Sequence, residues 1–345
     1  MAATIKDVAR QSGVSVATAS RALNGHPSVS DALRLRVHEA ATELRYTPNS
    51  GARSLITRRT DTVGVLLPDL HGEFFSELIR GIDITARSLG LHLLVSSSHG
   101  DAAEAGAVLR AMRGRVDGVL VMSPFLDASV LEANLPPTFP LVLMNTPIEG
   151  SERSSVLVDN DGGTYAMVRH LVGCGHQRIA FITGPLDNLD ARERLLGYRR
   201  AMSMLAPGQP ELTLRGDFTE ESGYRAARQM ISMTALPDAV FAANDIMAIG
   251  CLFAFGEAGI EVPRDIAVVG FDDIPVARYI TPSLTTVRVR IADLGRSAID
   301  LLAMQMEKPN QVQASKHTLA CEIVVRNSCR ADVKSSGNRA THMPG

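Results

Sequence analysis

The stretch TIKDVARQSGVSVATASRALN, residues 4–24, has the pattern of two short helices joined by a tight turn. Thr4 and Asp7 have the spacing of a capping box, which predicts a helix that begins here. Gly13 tolerates the left-handed conformation that ends a helix, and Ser15 is placed to cap the next one. Together these signals predict a helix-turn-helix unit.

A third helix is predicted to begin at Ser30, because apolar residues recur at helical spacing as far as Leu44. The predicted organisation is therefore a helix-turn-helix head over residues 1–46 and a linker over residues 47–60. Pro48 interrupts the linker, which is too short and too polar to hold a stable helix alone.

Charge is distributed unevenly along the chain. The 345 residues include 35 basic and 37 acidic side chains, a net charge of −2. Nine of the basic and four of the acidic residues lie in residues 1–60, which leaves +5 there and −7 in the rest. A basic unit on an acidic body is typical of polyanion binding, although the same charges also suit a solvated helical surface.

From residue 61 to about 330, apolar runs typical of buried strands alternate with amphipathic helical stretches. This alternation predicts an α/β body with parallel sheets covered by helices on both faces. The body is too long for one comfortable core, so two lobes are expected: lobe 1 at about 61–158 and 288–317, and lobe 2 at about 159–287 and 318–330. The predicted strands include 63–67, 91–95, 116–122, 141–144, 179–183, 240–243 and 266–270. The polar tail, residues 331–345, lacks a leucine heptad, which predicts disorder.

Composition and motifs argue against several other classes of protein. No run approaches the ~18 apolar residues of a membrane span, and the first residues lack a signal-peptide core, so a cytoplasmic protein without membrane contact is expected. The four cysteines have no ligand spacing and are interpreted as free thiols, neither a disulfide framework nor a metal site. No nucleophile elbow, P-loop or dinucleotide fingerprint is present, so neither an enzyme nor a cofactor is predicted.

Ordered motifs along the chain resemble those of the lac repressor family of bacterial transcription regulators. The head motifs within residues 4–24 are followed by Tyr46-Thr47-Pro48-Asn49 and Ala52-Arg53-Ser54-Leu55, which are similar to that family's hinge. Matching motifs in the body are Val116-Asp117-Gly118, Gly175-His176-Gln177-Arg178-Ile179-Ala180, Gly197-Tyr198, Asn244-Asp245-Ile246-Met247-Ala248, Gly270-Phe271-Asp272-Asp273 and Pro282-Ser283-Leu284-Thr285-Thr286. The resemblance covers roughly residues 4–330, and the body looks most like the ribose and purine repressors.

The resemblance implies a homodimer that binds double-stranded operator DNA at a pseudo-palindrome, and a two-lobed body similar to periplasmic sugar-binding proteins. In the recognition helix, Val16 and Ala17 would contact thymine methyl groups and Arg21 a guanine edge. The alternative is that Val16 and Ala17 belong to the helix core and Arg21 is only solvated. Further head residues assigned to DNA, chiefly to phosphates, are Thr4, Ser15, Thr18, Ser20 and Asn24.

The hinge resemblance implies that Leu55 wedges between base pairs in the minor groove, with Arg53 beside it. The alternative is that Leu55 packs the linker onto the body.

The resemblance also implies an effector site formed by Phe74, Phe75, Asn145, Arg194, Phe218, Asn244 and Asp272. Rings flanked by carboxylate, amide and guanidinium groups suit a polyhydroxylated small molecule. Phe75 can equally be interpreted as a core residue. Asn244 or Asp245 can be interpreted as a helix cap, and Asp245 is the favoured cap. The run Asp159-Asn160-Asp161 is interpreted as a helix cap, with Asp161 a weaker candidate for the cleft.

Three classes of function are compatible with parts of this pattern. An effector-controlled DNA-binding repressor uses the head, the hinge and the body together. A sugar-uptake protein would use only the body, and an α/β enzyme would need motifs that are missing. We therefore predict a repressor of carbohydrate-metabolism genes that a sugar-like effector releases from DNA. A purine-responsive regulator that binds DNA better with its effector is the alternative.

Overall fold

A computed structural model describes residues 3–46, 59–124, 126–146, 148, 152–308 and 313–329. The hinge candidates Arg53 and Leu55 and the tail 331–345 lie outside the described residues. The chain divides into two compact units between Thr60 and Asp61.

The first unit contains the three helices expected from the sequence: α1 (Ile5–Gln11), α2 (Val16–Leu23) and α3 (Asp31–Glu43). Thr4 N donates to Asp7 Oδ2 over 3.0 Å, which forms the predicted capping box. Ser15 Oγ accepts from Thr18 N over 3.1 Å and caps α2. These local hydrogen bonds satisfy backbone donors that the first turn leaves unpaired.

A small aliphatic core holds the three helices together. It contains residues from each helix and from the turn before α3: Val8, Ala9, Ala19, Ala22, Val29, Val37, Ala40 and Ala41. The helix-turn-helix prediction is confirmed.

The second unit contains two six-stranded sheets, one in each lobe. The sheet of lobe 1 has the order β11-β5-β4-β3-β1-β2 and consists of β1 (Thr62–Leu67), β2 (His92–Ser97), β3 (Gly118–Val121), β4 (Leu141–Met144), β5 (Ser154–Val158) and β11 (Lys316–Leu319). The sheet of lobe 2 has the order β12-β10-β9-β8-β6-β7 and consists of β6 (Ile179–Thr183), β7 (Leu212–Arg215), β8 (Ala239–Ala242), β9 (Ala267–Asp272), β10 (Thr285–Arg288) and β12 (Glu322–Val324).

Parallel pairing dominates both sheets, and within the part of the chain that the structure describes only β12 runs antiparallel, to β10. The predicted α/β class with parallel sheets is confirmed. Five short strands were not predicted from the sequence: β5, β7, β10, β11 and β12.

Helices cover both sheets. They are α4 (Glu73–Ser88), α5 (Ala102–Met112), α6 (Ala128–Asn134), α7 (Asn160–Gly173), α8 (Leu189–Leu205), α9 (Glu220–Ile231), α10 (Asp245–Glu257) and α11 (Ile291–Glu307), with short 3-10 helices at Pro275–Arg278 and Asn327–Cys329. The chain passes between the lobes three times: after β5, after β10, and between Leu319 and Glu322. Three crossings side by side connect the lobes and leave a cleft between them.

Candidate functional site

The outer face of α2 carries the side chains assigned to base reading. Val16 is 43% exposed, and Ala17 and Arg21 are also exposed. Ala19 and Ala22, on the opposite face of the same helix, are fully buried. The core interpretation of Val16 and Ala17 therefore does not fit the structure, and the face they share with Arg21 is available to a partner.

Several polar residues assigned to DNA already make local hydrogen bonds. Thr4 Oγ1 donates to Asp7, Ser15 Oγ contacts Thr18 Oγ1 at 2.8 Å, and Asn24 Nδ2 donates to Ser20 O over 2.9 Å. Such bonds fix the ends of α1 and α2. Their hydroxyl and amide groups keep further hydrogen-bonding capacity, because each offers more than one donor or acceptor position.

The second unit contains a cavity of about 250 Å³ between its two lobes. All seven residues assigned to an effector line this cavity: Phe74, Phe75, Asn145, Arg194, Phe218, Asn244 and Asp272. The assignment itself stays a prediction, but the fold brings together residues that span almost 200 positions of the chain.

The sheets explain why these residues meet. Asn145 follows β4, Phe218 follows β7 and Asp272 ends β9, so all three project from the carboxyl ends of parallel strands. Ligands of open α/β sheets bind at that edge. Phe74 and Phe75 lie in the first turn of α4, directly after β1, with their rings edge to face at 5.4 Å.

Arg194 occupies the centre of the site and is only 4% exposed. Its Nε donates to Asn160 Oδ1 over 2.8 Å, and its Nη1 donates to Ala243 O over 2.5 Å. Its Cζ lies 3.8 Å from the centroid of the Phe271 ring. A buried guanidinium held from three directions has little freedom, so its remaining donors point at a fixed place.

Two carboxyl groups, those of Asp190 and Asp272, lie near this guanidinium. Arg194 Nη2 lies 3.3 Å from Asp272 Oδ1 in an ion pair, and this oxygen is buried. Asp190 accepts from Asn160 Nδ2 over 2.8 Å. Burial raises the pKa of both carboxyls to about 6, against the opposing effect of Arg194. Asp272 and Arg194 therefore form an ion pair in the wall of the cavity.

Backbone strain is concentrated at the same edge. Asn145, Phe218 and Asp272 have φ values of 45°, 69° and 113°, in the region that favours glycine. Non-glycine residues persist there only when their surroundings determine them, and such residues cluster at ligand sites. A Cβ on Gly184 would lie 2.3 Å from the Phe218 ring, so that glycine makes room for the ring.

The expected role of Asp245 as helix cap was wrong. Asn244 is the cap of α10, since its Oδ1 accepts from Met247 N over 2.9 Å while its Nδ2 donates to Phe218 O. Asp245 is fully buried and accepts from Ile274 N and from the Thr286 hydroxyl. It fixes the loop after β9, which lies beside Asp272.

The three residues Asp159, Asn160 and Asp161, at the start of α7, have different roles. Asp159 caps the helix, as expected, by accepting from Gly162 N over 2.9 Å. Asp161 is not among the residues that line the cavity and pairs instead with Arg200. Asn160, which the sequence analysis interpreted only as part of a cap, is the residue that holds Arg194.

Sequence reasoning also missed Asp190, although a signal was available. Asp190 precedes Arg194 by four positions on α8, a spacing that places two side chains on one helix face. Other cavity residues that were not predicted include His71, Glu73, Asp217 and Thr219.

A helix-turn-helix head on one unit and a two-lobed ligand cleft on the other define a ligand-responsive DNA-binding protein. Comparison with known proteins identifies its family. Residues 4–49 match the lacI family of bacterial regulatory proteins, and residues 168–329 match the periplasmic binding protein-like domain.

Relatives extend this match over almost the whole chain. The ribose operon repressor of Escherichia coli (strain K12) is 40% identical over 317 residues, which are 90% of this chain and 95% of that protein. A crystal structure of the lac repressor dimer bound to operator and the anti-inducer ONPF is 30% identical with a TM-score of 0.86, over 96% of this chain and 100% of that one. A LacI family transcriptional regulator from Enterococcus faecium with bound ribose is 26% identical with a TM-score of 0.70, over 77% of this chain and 98% of that one.

The chain therefore belongs to the lacI family of bacterial regulatory proteins, and it is a DNA-binding transcriptional regulator. The resemblance found in its motifs is confirmed. Within the described residues, no helix combines the length and apolarity that crossing a membrane requires.

Proposed function

We propose that this protein represses carbohydrate-metabolism genes and that a monosaccharide, of the pentose class, releases it from its operator. The observation that carries the proposal is the cavity, in whose wall the Asp272 carboxylate lies beside the Arg194 guanidinium. A sugar hydroxyl donates to the first group and accepts from the second, so adjacent hydroxyls satisfy both at once.

The rest of the cavity fits the same ligand. Phe74, Phe75 and Phe218 supply flat apolar walls for the C–H faces of a sugar ring, and Asn145 and Asn244 supply amides at its edge. A volume of about 250 Å³ lies below the range typical of drug-sized ligands, which favours a single sugar ring. The relative with bound ribose supports this choice.

On DNA, the proposed form is a homodimer that places two heads on the half-sites of a pseudo-palindrome, as two-fold symmetry requires. The lac repressor dimer bound to operator supports this arrangement. In each head, Val16, Ala17 and Arg21 read base edges. In the hinge, Arg53 and Leu55, both outside the described residues, act in the minor groove. Because its target is bacterial DNA, the protein works in the cytoplasm.

Effector control requires that the sugar bind the DNA-free and DNA-bound states with different affinity. The cleft can produce this difference in affinity, since its walls belong to two lobes that a ligand draws together. A contact between the lobes already exists, where Val276 N donates to Glu73 Oε2 over 2.9 Å. The sugar is bound and released unchanged, so no catalytic turnover is expected.

A thermal-shift screen of the full chain tests the effector class. Pentoses, hexoses, polyols, nucleosides and purine bases are compared, because a ligand that binds only the folded state raises the melting temperature. We expect pentoses to give the largest shift. A shift with purines alone would overturn the sugar assignment.

A second measurement tests induction itself. An operator is first selected from random duplexes with the ligand-free protein, and its dissociation is followed as the pentose is added. Release of the operator is expected, with the sugar recovered intact. Tighter operator binding with the pentose would show a co-repressed regulator instead.

A further inference from the structure

Three potential metal ligands meet in lobe 2, away from the effector cavity. They are His170 and Cys174 at the C-terminal end of α7, and Cys329 in the 3-10 helix Asn327–Cys329. Both Cys174 Sγ and Cys329 Sγ lie 3.8 Å from His170 Nε2, and all three ligand atoms are within 4.8 Å of one another. Both cysteines are free thiols.

The cluster is built by two independent features of the fold. His170 and Cys174 are four positions apart at the end of one helix, so their side chains share a face. Cys329 is brought to them by its neighbour Ser328, whose Oγ donates to Val268 O over 2.6 Å and accepts from Thr285 N over 2.8 Å. The third ligand therefore has a fixed position, although it lies 159 positions away from His170 in the chain.

The distances match the coordination of a soft metal ion. For tetrahedral zinc, bond lengths of about 2.3 Å to sulfur and about 2.0 Å to nitrogen place these two ligand atoms about 3.6 Å apart. The observed 3.8 Å separations need only a small adjustment of side chains. Thiolate and imidazole ligands select zinc or copper(I) over the harder ions that prefer oxygen.

We propose that His170, Cys174 and Cys329 form a binding site for a soft, thiophilic metal ion of the zinc class, with water as the fourth ligand. His170 and Cys174 are partly exposed, which gives the ion and the water access from solvent. Cys329 is buried and closes the inner side.

This site is distinct from the effector cavity, although α7 connects them. Asn160, which holds Arg194, begins α7, and His170 lies ten residues further along, a rise of about 15 Å. A metal bound here would tie the C-terminal 3-10 helix to α7 and stabilise lobe 2.

Cobalt(II) is the probe for the test, because a thiolate bound to this ion gives a charge-transfer band that carboxylate ligands do not give. The full chain is stripped of metal, kept reduced under anaerobic conditions and titrated. We expect one equivalent to produce the band, and an excess of zinc to remove it. Zinc should also raise the melting temperature.

Three variants locate the site. Cys174→Ser, which removes one of the two thiolates, should lower the band to about half or less of the parent intensity at one equivalent. His170→Gln should weaken zinc binding by roughly tenfold or more, since even outer-shell changes cost that much. Cys321→Ser is the matched control and should behave as the parent protein, because this partly exposed thiol contacts the beginning of α7, at Asp159, and lies outside the cluster. Asp272→Asn should leave the band unchanged.

Absence of the band at one equivalent, or a band of undiminished intensity in Cys174→Ser, would overturn the proposal. The melting temperatures of the metal-free variants show whether each is folded. The cobalt readout does not depend on DNA or sugar, so its failure would leave the proposed regulatory function intact.

Discussion

The buried position of the Asp272 carboxylate lowers the stability of the protein but provides an acceptor for a ligand. Burial of the Asp272 carboxylate costs free energy, which its ion pair with Arg194 offsets only in part. The same carboxylate is what a sugar hydroxyl needs as an acceptor. The strained φ of 113° shows that the fold holds the residue in place against its own preference.

The pKa values predict how stability varies with pH. Burial raises the pKa of Asp190 and Asp272 from 3.8 to about 6 in the folded chain. Between these values the folded state holds protons that the unfolded state has released. Their contribution to the free energy of unfolding therefore falls as pH rises from about 4 to about 6.

Asp272→Asn removes one of these titrations. Thermal melts of the ligand-free variant should show a smaller loss of melting temperature across this pH window than the parent protein. The exposed Asp300→Asn is the control and should follow the parent curve. Parallel curves for parent and Asp272→Asn would contradict the assigned origin of the pH dependence. The variant should also lose the response to sugar.

Arg21 is predicted to read a base. Arg21→Ala should weaken binding to the selected operator by roughly 1–3 kcal/mol and relax the preference at one base pair, with a smaller effect on random duplexes. Arg264→Ala, which removes an exposed arginine of the second unit that pairs with Glu261 and Asp265, is the matched control. If Arg21→Ala weakens binding to operator and random DNA equally, Arg21 contacts a phosphate and not a base.

At the level of elements, three helix pairs of the body pack through glycines. These are α4 with α11, α7 with α8, and α9 with α10. A Cβ on Gly81, Gly197 or Gly250 would lie 2.1 to 2.6 Å from a backbone oxygen of the facing helix. The helix axes can approach this closely only where a side chain is missing.

Gly250 offers the sharpest test of this packing. Gly250→Ala places a Cβ 2.1 Å from Glu220 O of α9, so the helices must separate, at a cost of about 1–3 kcal/mol of stability. Gly256→Ala in the same helix meets nothing within 4 Å and should be neutral or stabilising by up to about 1 kcal/mol. Chemical denaturation measures both, and equal stability of the two variants would refute close packing as the reason for the glycine.

Elements differ in how well their sequence predicts them. The three head helices and the central strands were predicted to within a few residues, because capping signals and hydrophobic runs are local. The strands β5, β7, β10, β11 and β12 have only three to five residues each. The equally short β3, β4 and β8 are continuous apolar runs, whereas these five strands contain polar residues. No apolar run therefore marks them in the sequence, and pairing with a neighbour fixes them instead.

At the scale of the whole molecule, operator and effector are linked in both directions. If the sugar lowers operator affinity by a given factor, the operator must lower sugar affinity by the same factor, because both describe one coupling free energy. We expect a factor of roughly 5 to 150. Calorimetric titrations of sugar with and without operator check this equality, and a random duplex serves as the control. Unequal factors would rule out a single two-state coupling.

The sequence by itself determined the head, the α/β class of the body and the family, because local hydrogen bonds, hydrophobic periodicity and ordered motifs depend on residues that are close together in the chain. Through the family resemblance it also indicated seven of the residues that line the cavity. Only the tertiary structure decided that Asp190 holds Asn160, which in turn holds Arg194, that Asp245 fixes a loop instead of capping a helix, and that Cys329 meets His170. The reason is distance along the chain: such contacts form only when strand order brings remote segments together, and no local pattern records them.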